Sequence, residues 1–212
     1  MPLILVPAIV TLAVTLLRLF GELNKWSPTY FNPAAGGGGS LVGISWLIPV
    51  FAIYFAWVLA KRGEGPARPW KSFGIALLAF VLATAVFVLT QMAGASAVVF
   101  LGVSAITAWI AIVFALRAWP ALGKTLLAYA FAARVPVAIV MVFAIFGHWG
   151  THYDVPPPDP AAAAVVEAMS PLAKWLWIGL LPQMSIWIYM TVVGGLIVGT
   201  FTAAVAGAKR AA

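Results

Sequence analysis

Six stretches of roughly twenty residues run through this chain almost without a charge, and that length is what a helix needs to cross the apolar core of a bilayer. They fall at 3–20, 41–60, 72–92, 97–116, 126–146 and 176–206. Barrel strands are shorter and alternate polar with apolar residues, which these runs do not. The reading is an all-α integral membrane protein: a six-transmembrane-helix bundle, one transmembrane domain over 1–212, with an outer cap at 22–40 and 147–175 that contains short outer-face helices. Only "AGAS" separates the third run from the fourth, which predicts an antiparallel hairpin. With 8% charged residues and 64% hydrophobic ones, the soluble classes are closed.

The charges that remain are unevenly placed. Lys61, Arg62, Arg68 and Lys71 join the second and third runs, Arg117 and Lys124 the fourth and fifth, and Lys209 with Arg210 ends the chain. Six crossings put all of these on one side. Arg18, Lys25, Lys174 and four of the five acids fall on the other, so the positive-inside rule predicts cytoplasmic termini, in a bacterial inner membrane or comparable envelope. Trp26, Trp149, Trp175 and Trp177 are expected at the outer boundary and Trp57, Trp70 and Trp119 at the inner one. The opening "MPLILVPAIVTLAVTLLRLF" has neither a basic leader nor a small-residue cleavage site and reads as a retained helix. With no cysteine, disulfides, thiolate catalysis and cysteine-ligated metal centres are excluded.

The last run is longer than a bilayer requires, so its punctuation matters. Asp159 and Ser170 each precede a proline, the N-cap and N1 pattern. It predicts a short helix at 160–169 and a new start at Pro171. Pro182 should then kink the chain. Beyond it Gly195, Gly199, Ala203 and Gly207 recur every four residues, a small-residue stripe for close packing with a helix of this chain or of another.

Arg134, in "FAARVPVAIV", is the sharpest single feature. Nine residues into the fifth run it lies about 13 Å from the boundary, where a charge is costly unless it is paired or hydrated. No carboxylate lies within a run to match it. Its candidate partners are carbonyls freed by Pro136 and the side chains of Gln183, Ser185, Ser104 and Thr107. Either the arginine braces the bundle through those groups, or it waits for an anion.

A second anion site is legible at "NPAAGGGGSLVG". Gly36, Gly37, Gly38, Gly39 and Ser40 stand before the second run, where Ser40 can cap the helix and the glycine amides can converge on a phosphate or carboxylate, with Arg18, Lys25, Asn24, Asn32 and Tyr30 nearby. A plain flexible turn is the rival reading, and an engineered linker a third. In "GHWGTHYDVPPPDP", His148 and His152 stand four apart with Asp154 beyond, a metal-like spacing. The glycines and prolines around them argue instead for a wet loop. No paired carboxylates, nucleophile triad or nucleotide motif is found, and both histidines lie outside the runs, so haem held by histidine within the bilayer is not expected. The cofactor is unknown from sequence, and a pigment or quinone stays open.

Two functional readings follow. The first is a non-enzymatic membrane subunit or scaffold that packs with other chains or with itself, among membrane lipids and without nucleic acid. The second is a carrier or binding protein for an anionic small molecule or lipid, built on Arg134 and the 36–40 loop.

Overall fold

The computed structural model describes residues 3–35 and 40–211, with side chains described as far as residue 207. Gly36, Gly37, Gly38 and Gly39 lie outside the described residues. The described chain is all-α: α1 Leu5–Leu23, α2 Leu47–Lys61, α3 Pro69–Met92, α4 Ala97–Ala115, α5 Pro120–Gly147, α6 Pro160–Glu167, α7 Pro171–Lys174, α8 Leu181–Met184 and α9 Ile186–Ala211, with a π-helical turn at Trp175–Leu180. Five helical stretches are long and apolar enough to cross a membrane, the fifth running from α7 through the π turn and α8 into α9, and α2 is a shorter apolar one.

Their surfaces explain why. Ile106 and Ile110 of α4 are each 65% exposed, and Val81, Leu82 and Leu89 of α3 are exposed as well. Water would not tolerate such continuous apolar faces, whereas lipid requires them. Threonines inside the helices return their hydroxyls to the carbonyl one turn back, as Thr11 does to Pro7 (2.8 Å) and Thr191 to Trp187 (2.8 Å), so these hydroxyls are satisfied without water.

α9 is the centre of the bundle and packs against α2, α3, α4 and α5. The small-residue stripe makes this possible. A Cβ at Gly199 would stand 2.4 Å from Leu122 Cδ2 and 3.3 Å from Ala56 Cβ, and one at Gly195 would stand 2.7 Å from Leu126 Cδ2. Ala203 packs partly buried against the same core, while Gly207 has nothing within 4 Å. The stripe is thus an internal seam at its first two positions. Around it Phe55, Leu122, Leu126, Tyr129, Ile188 and Leu196 are fully enclosed.

The basic loops meet at one end. The Trp119 indole donates to the Glu64 carbonyl at 2.7 Å, and Phe201 of α9 packs edge-on against Trp70 at the start of α3. Trp57 and Trp70 are exposed there, but Trp119 is buried at 2%: its ring is a structural peg between the two loops rather than a headgroup anchor.

The second predicted run begins late. α2 starts at Leu47, with Trp46 at its N-cap and no side-chain cap, and its 15 residues span only about 22 Å. Ser40 therefore does not cap it. Its hydroxyl bonds the carbonyls of Tyr30 and Val42, closing the 30–42 excursion on itself, and irregular backbone from 40 to 46 fills the depth that helix would have occupied. Elsewhere the capping signals hold: Asp159 accepts from the Ala162 amide (2.8 Å) and Ser170 from that of Ala173 (3.4 Å).

Candidate functional site

The end of the bundle opposite the basic loops contains a cavity of about 380 Å³, within the size range of small-molecule sites. Three local departures from regular structure build it. The first is the late start of α2, which leaves Ile44 and Ser45 on the wall. Irregular backbone survives at membrane depth only where it lines a cavity or is buried in protein.

The second is the break before α9. Pro182 has no amide hydrogen and its ring crowds the carbonyl four residues back. The chain responds with a π turn at Trp175–Leu180 and a break at Ser185 (φ −130°, ψ −78°) before α9 begins. The bend thus lies three residues past the proline that causes it. Gly179 lets the widened turn lie close to Met141 of α5, and the Trp175 indole fastens it by donating to the Ala138 carbonyl at 2.9 Å. Trp177, Ile178, Pro182, Gln183 and Trp187 then face the cavity, with the positive end of the α9 dipole beside them.

The third is the loop after α5. His148 ends that helix in the left-handed conformation (φ 50°) and Gly150 repeats it (φ 68°), reversing the chain within a few residues. Asp154 holds the reversal: its carboxylate accepts from the amides of Gly150 (2.9 Å) and Thr151 (2.7 Å) and from the Thr151 hydroxyl (2.8 Å). The turn carries His152 to α1. There Glu22 accepts from the His152 amide (2.9 Å) and from its Nδ1 (2.6 Å), and also from Arg18 Nε at 2.7 Å. Arg18 continues to the Asn32 carbonyl at 3.0 Å, tying in the 24–35 segment. Burial holds the His152 imidazole below its ordinary pKa, with Arg18 adding to the effect and the Glu22 carboxylate opposing it. The neutral ring uses Nδ1–H toward Glu22 and lines the cavity. Tyr153 beside it is buried, its phenol pushed up by that burial.

Arg134 lines the same cavity, 4% exposed. Its guanidinium lies over the Trp187 ring, 4.6 Å from the centroid. Its Nε has no hydrogen-bond partner, and among the described residues no carboxylate pairs with it. The partners read from sequence do not take it up. Ser185 returns its hydroxyl to the Leu181 carbonyl, Gln183 Oε1 and Ser104 Oγ are themselves buried without partners, and Ser104 and Thr107 are not on the cavity wall. α5 passes through Pro136 unbroken, so that proline opens no gap for the guanidinium.

Of the sequence candidates, the fold brings together Arg134, Arg18, Gln183 and His152 around one space. Lys25 and His148 are exposed and stand apart from it. The His148, His152 and Asp154 trio is not brought together: His152 is engaged by Glu22 and Asp154 by its own turn, and the described residues hold no group of three potential metal ligands. Sequence reasoning missed Glu22 as the hub. The spacing of Arg18 and Glu22, four apart on one helix, carried half of that signal; His152, 130 positions away, left none. The chain matches no family model, no curated protein and no solved structure.

Proposed function

We propose that this chain is a membrane binding protein or carrier for an anionic small molecule or lipid, which it takes into the cavity at Arg134. The observation that carries the reading is a buried guanidinium on the wall of a cavity, with no carboxylate among the described residues paired to it. A charge removed from water is costly unless compensated, and a ligand's acidic group supplies the compensation. The neighbourhood fits: α9 presents its positive end, and Trp177, Ile178 and Met141 supply apolar walls.

The subunit reading has a specific observation in its favour too, the open face at Gly207, but Gly195 and Gly199 are already used within the chain. The positive-inside arrangement supports a bacterial inner membrane with cytoplasmic termini and a cavity opening outward.

Thermal unfolding in neutral detergent tests the binding reading. A ligand that binds only the folded state at a hundred times its Kd stabilises by about 2.7 kcal/mol. Decanoate at saturation should therefore raise the melting temperature of the wild type and leave that of Arg134→Gln unmoved. An equal rise in both proteins would place binding elsewhere; no rise with decanoate or with an anionic phospholipid would remove the reading.

A further inference from the structure

We infer that the ligand is singly charged: one monoanionic group, carboxylate or phosphodiester, on an apolar body. This rests on the binding reading above and sharpens it by counting the charges around the cavity.

Two arginines reach the wall, Arg18 and Arg134. Arg18 is already matched, since its Nε–Glu22 pair is 2.7 Å long and both side chains are buried, at 8% and 0% exposure. Glu22 is in turn fully engaged, because its second oxygen takes the His152 amide. Asp154 is not on the wall and is occupied by Gly150 and Thr151. His152 commits its Nδ1 to Glu22 at 2.6 Å, and above its lowered pKa the ring adds no charge. One positive charge, Arg134, is left without a carboxylate among the described residues. A dianion would bring a second negative charge into a space where the described residues offer no second unmatched cation, and removing that charge from water would cost more than the first gains. A neutral amphiphile would leave the guanidinium as it stands.

The apolar side of the cavity is equally selective. Val14, Leu101, Val137, Met141, Ile178 and Trp177 give the wall a broad apolar side, and a small hydrophilic anion would leave them facing water. Acid and hydrocarbon must arrive in one molecule, either a free acid amphiphile or a bilayer lipid whose headgroup carries one negative charge.

The test is a charge series on one body, in phosphatidylcholine nanodiscs at about pH 8, where His152 is neutral. Isothermal titration calorimetry, corrected for partition into empty nanodiscs, reports occupancy. Decanoate should bind at least tenfold more tightly than both decanol, which has no charge, and decyl phosphate, which has nearly two. Arg134→Gln should abolish the preference and Arg134→Lys should retain part of it. Nanodiscs doped with phosphatidylglycerol separate the sources: if that lipid blocks decanoate, the bilayer supplies the ligand, and if it does not, the ligand is a free acid. Either result upholds a monoanion. Decanol binding as well as decanoate, or decyl phosphate binding better, would overturn the inference while leaving a cavity that binds amphiphiles. Failure of every probe, phosphatidylglycerol included, would overturn the binding reading itself.

Discussion

Two arginines that the bundle could have treated alike are handled in opposite ways. Arg18 has a carboxylate one helical turn away and a carbonyl across the cap, whereas Arg134 has the face of Trp187 and, among the described residues, no carboxylate, and a desolvated ring contact contributes about 2 kcal/mol. The His152 and Glu22 contact makes the cap a pH-sensitive closure. The groups facing His152 are Glu22 and Arg18 from α1 and Tyr153 and Asp154 from its own loop. Because burial holds its pKa below the ordinary 6.5, the folded protein binds fewer protons than the unfolded chain as pH falls through that value, and stability falls with it. Melting temperature should therefore decline between about pH 7.5 and pH 5.5. His152→Asn, whose side-chain amide can replace Nδ1–H, should flatten that part of the profile. An unchanged slope in the variant would assign the titration to another group.

At the scale of elements, the deviations from regular helix are what make the cavity, and their legibility differs. The caps at Asp159 and Ser170 and the prolines that follow could be read locally, and the structure has them in place. The late start of α2 could not, because "LVGISW" is as apolar as the helix it precedes and hydropathy does not distinguish a turn from a span. Pro182 announced a bend, but the π turn before it and the break at Ser185 depend on how α5 receives Trp175 and Gly179. The central seam yields a sharp comparison. Gly199→Val must displace the fully buried Leu122 and press on Ala56, so it should destabilise by about 1–3 kcal/mol. Gly194→Val, on the same helix but with nothing within 4 Å, should be close to neutral. Paired unfolding curves in one detergent decide it, and equal losses would mean that the stripe is not the packing seam.

For the whole molecule, the all-α bundle was legible because an apolar solvent leaves a chain few choices: runs of membrane length must become helices that satisfy their own backbone. The grouping of basic loops at one end was legible too, since Trp119 and Glu64 join those loops directly. The site was legible only in its most costly member. Arg134 stood out because a charge within a span is rare, but its surroundings come from α1, α4, α5, the α7 to α9 region and two loops, contacts that no local pattern encodes. The measurement closest to the central claim is native mass spectrometry of the protein gently extracted from its own membrane, beside Arg134→Gln prepared identically. A constant small-molecule or lipid mass on the wild type, absent from the variant, is the predicted result; the same bound mass on both, or only additional protein mass, would contradict it.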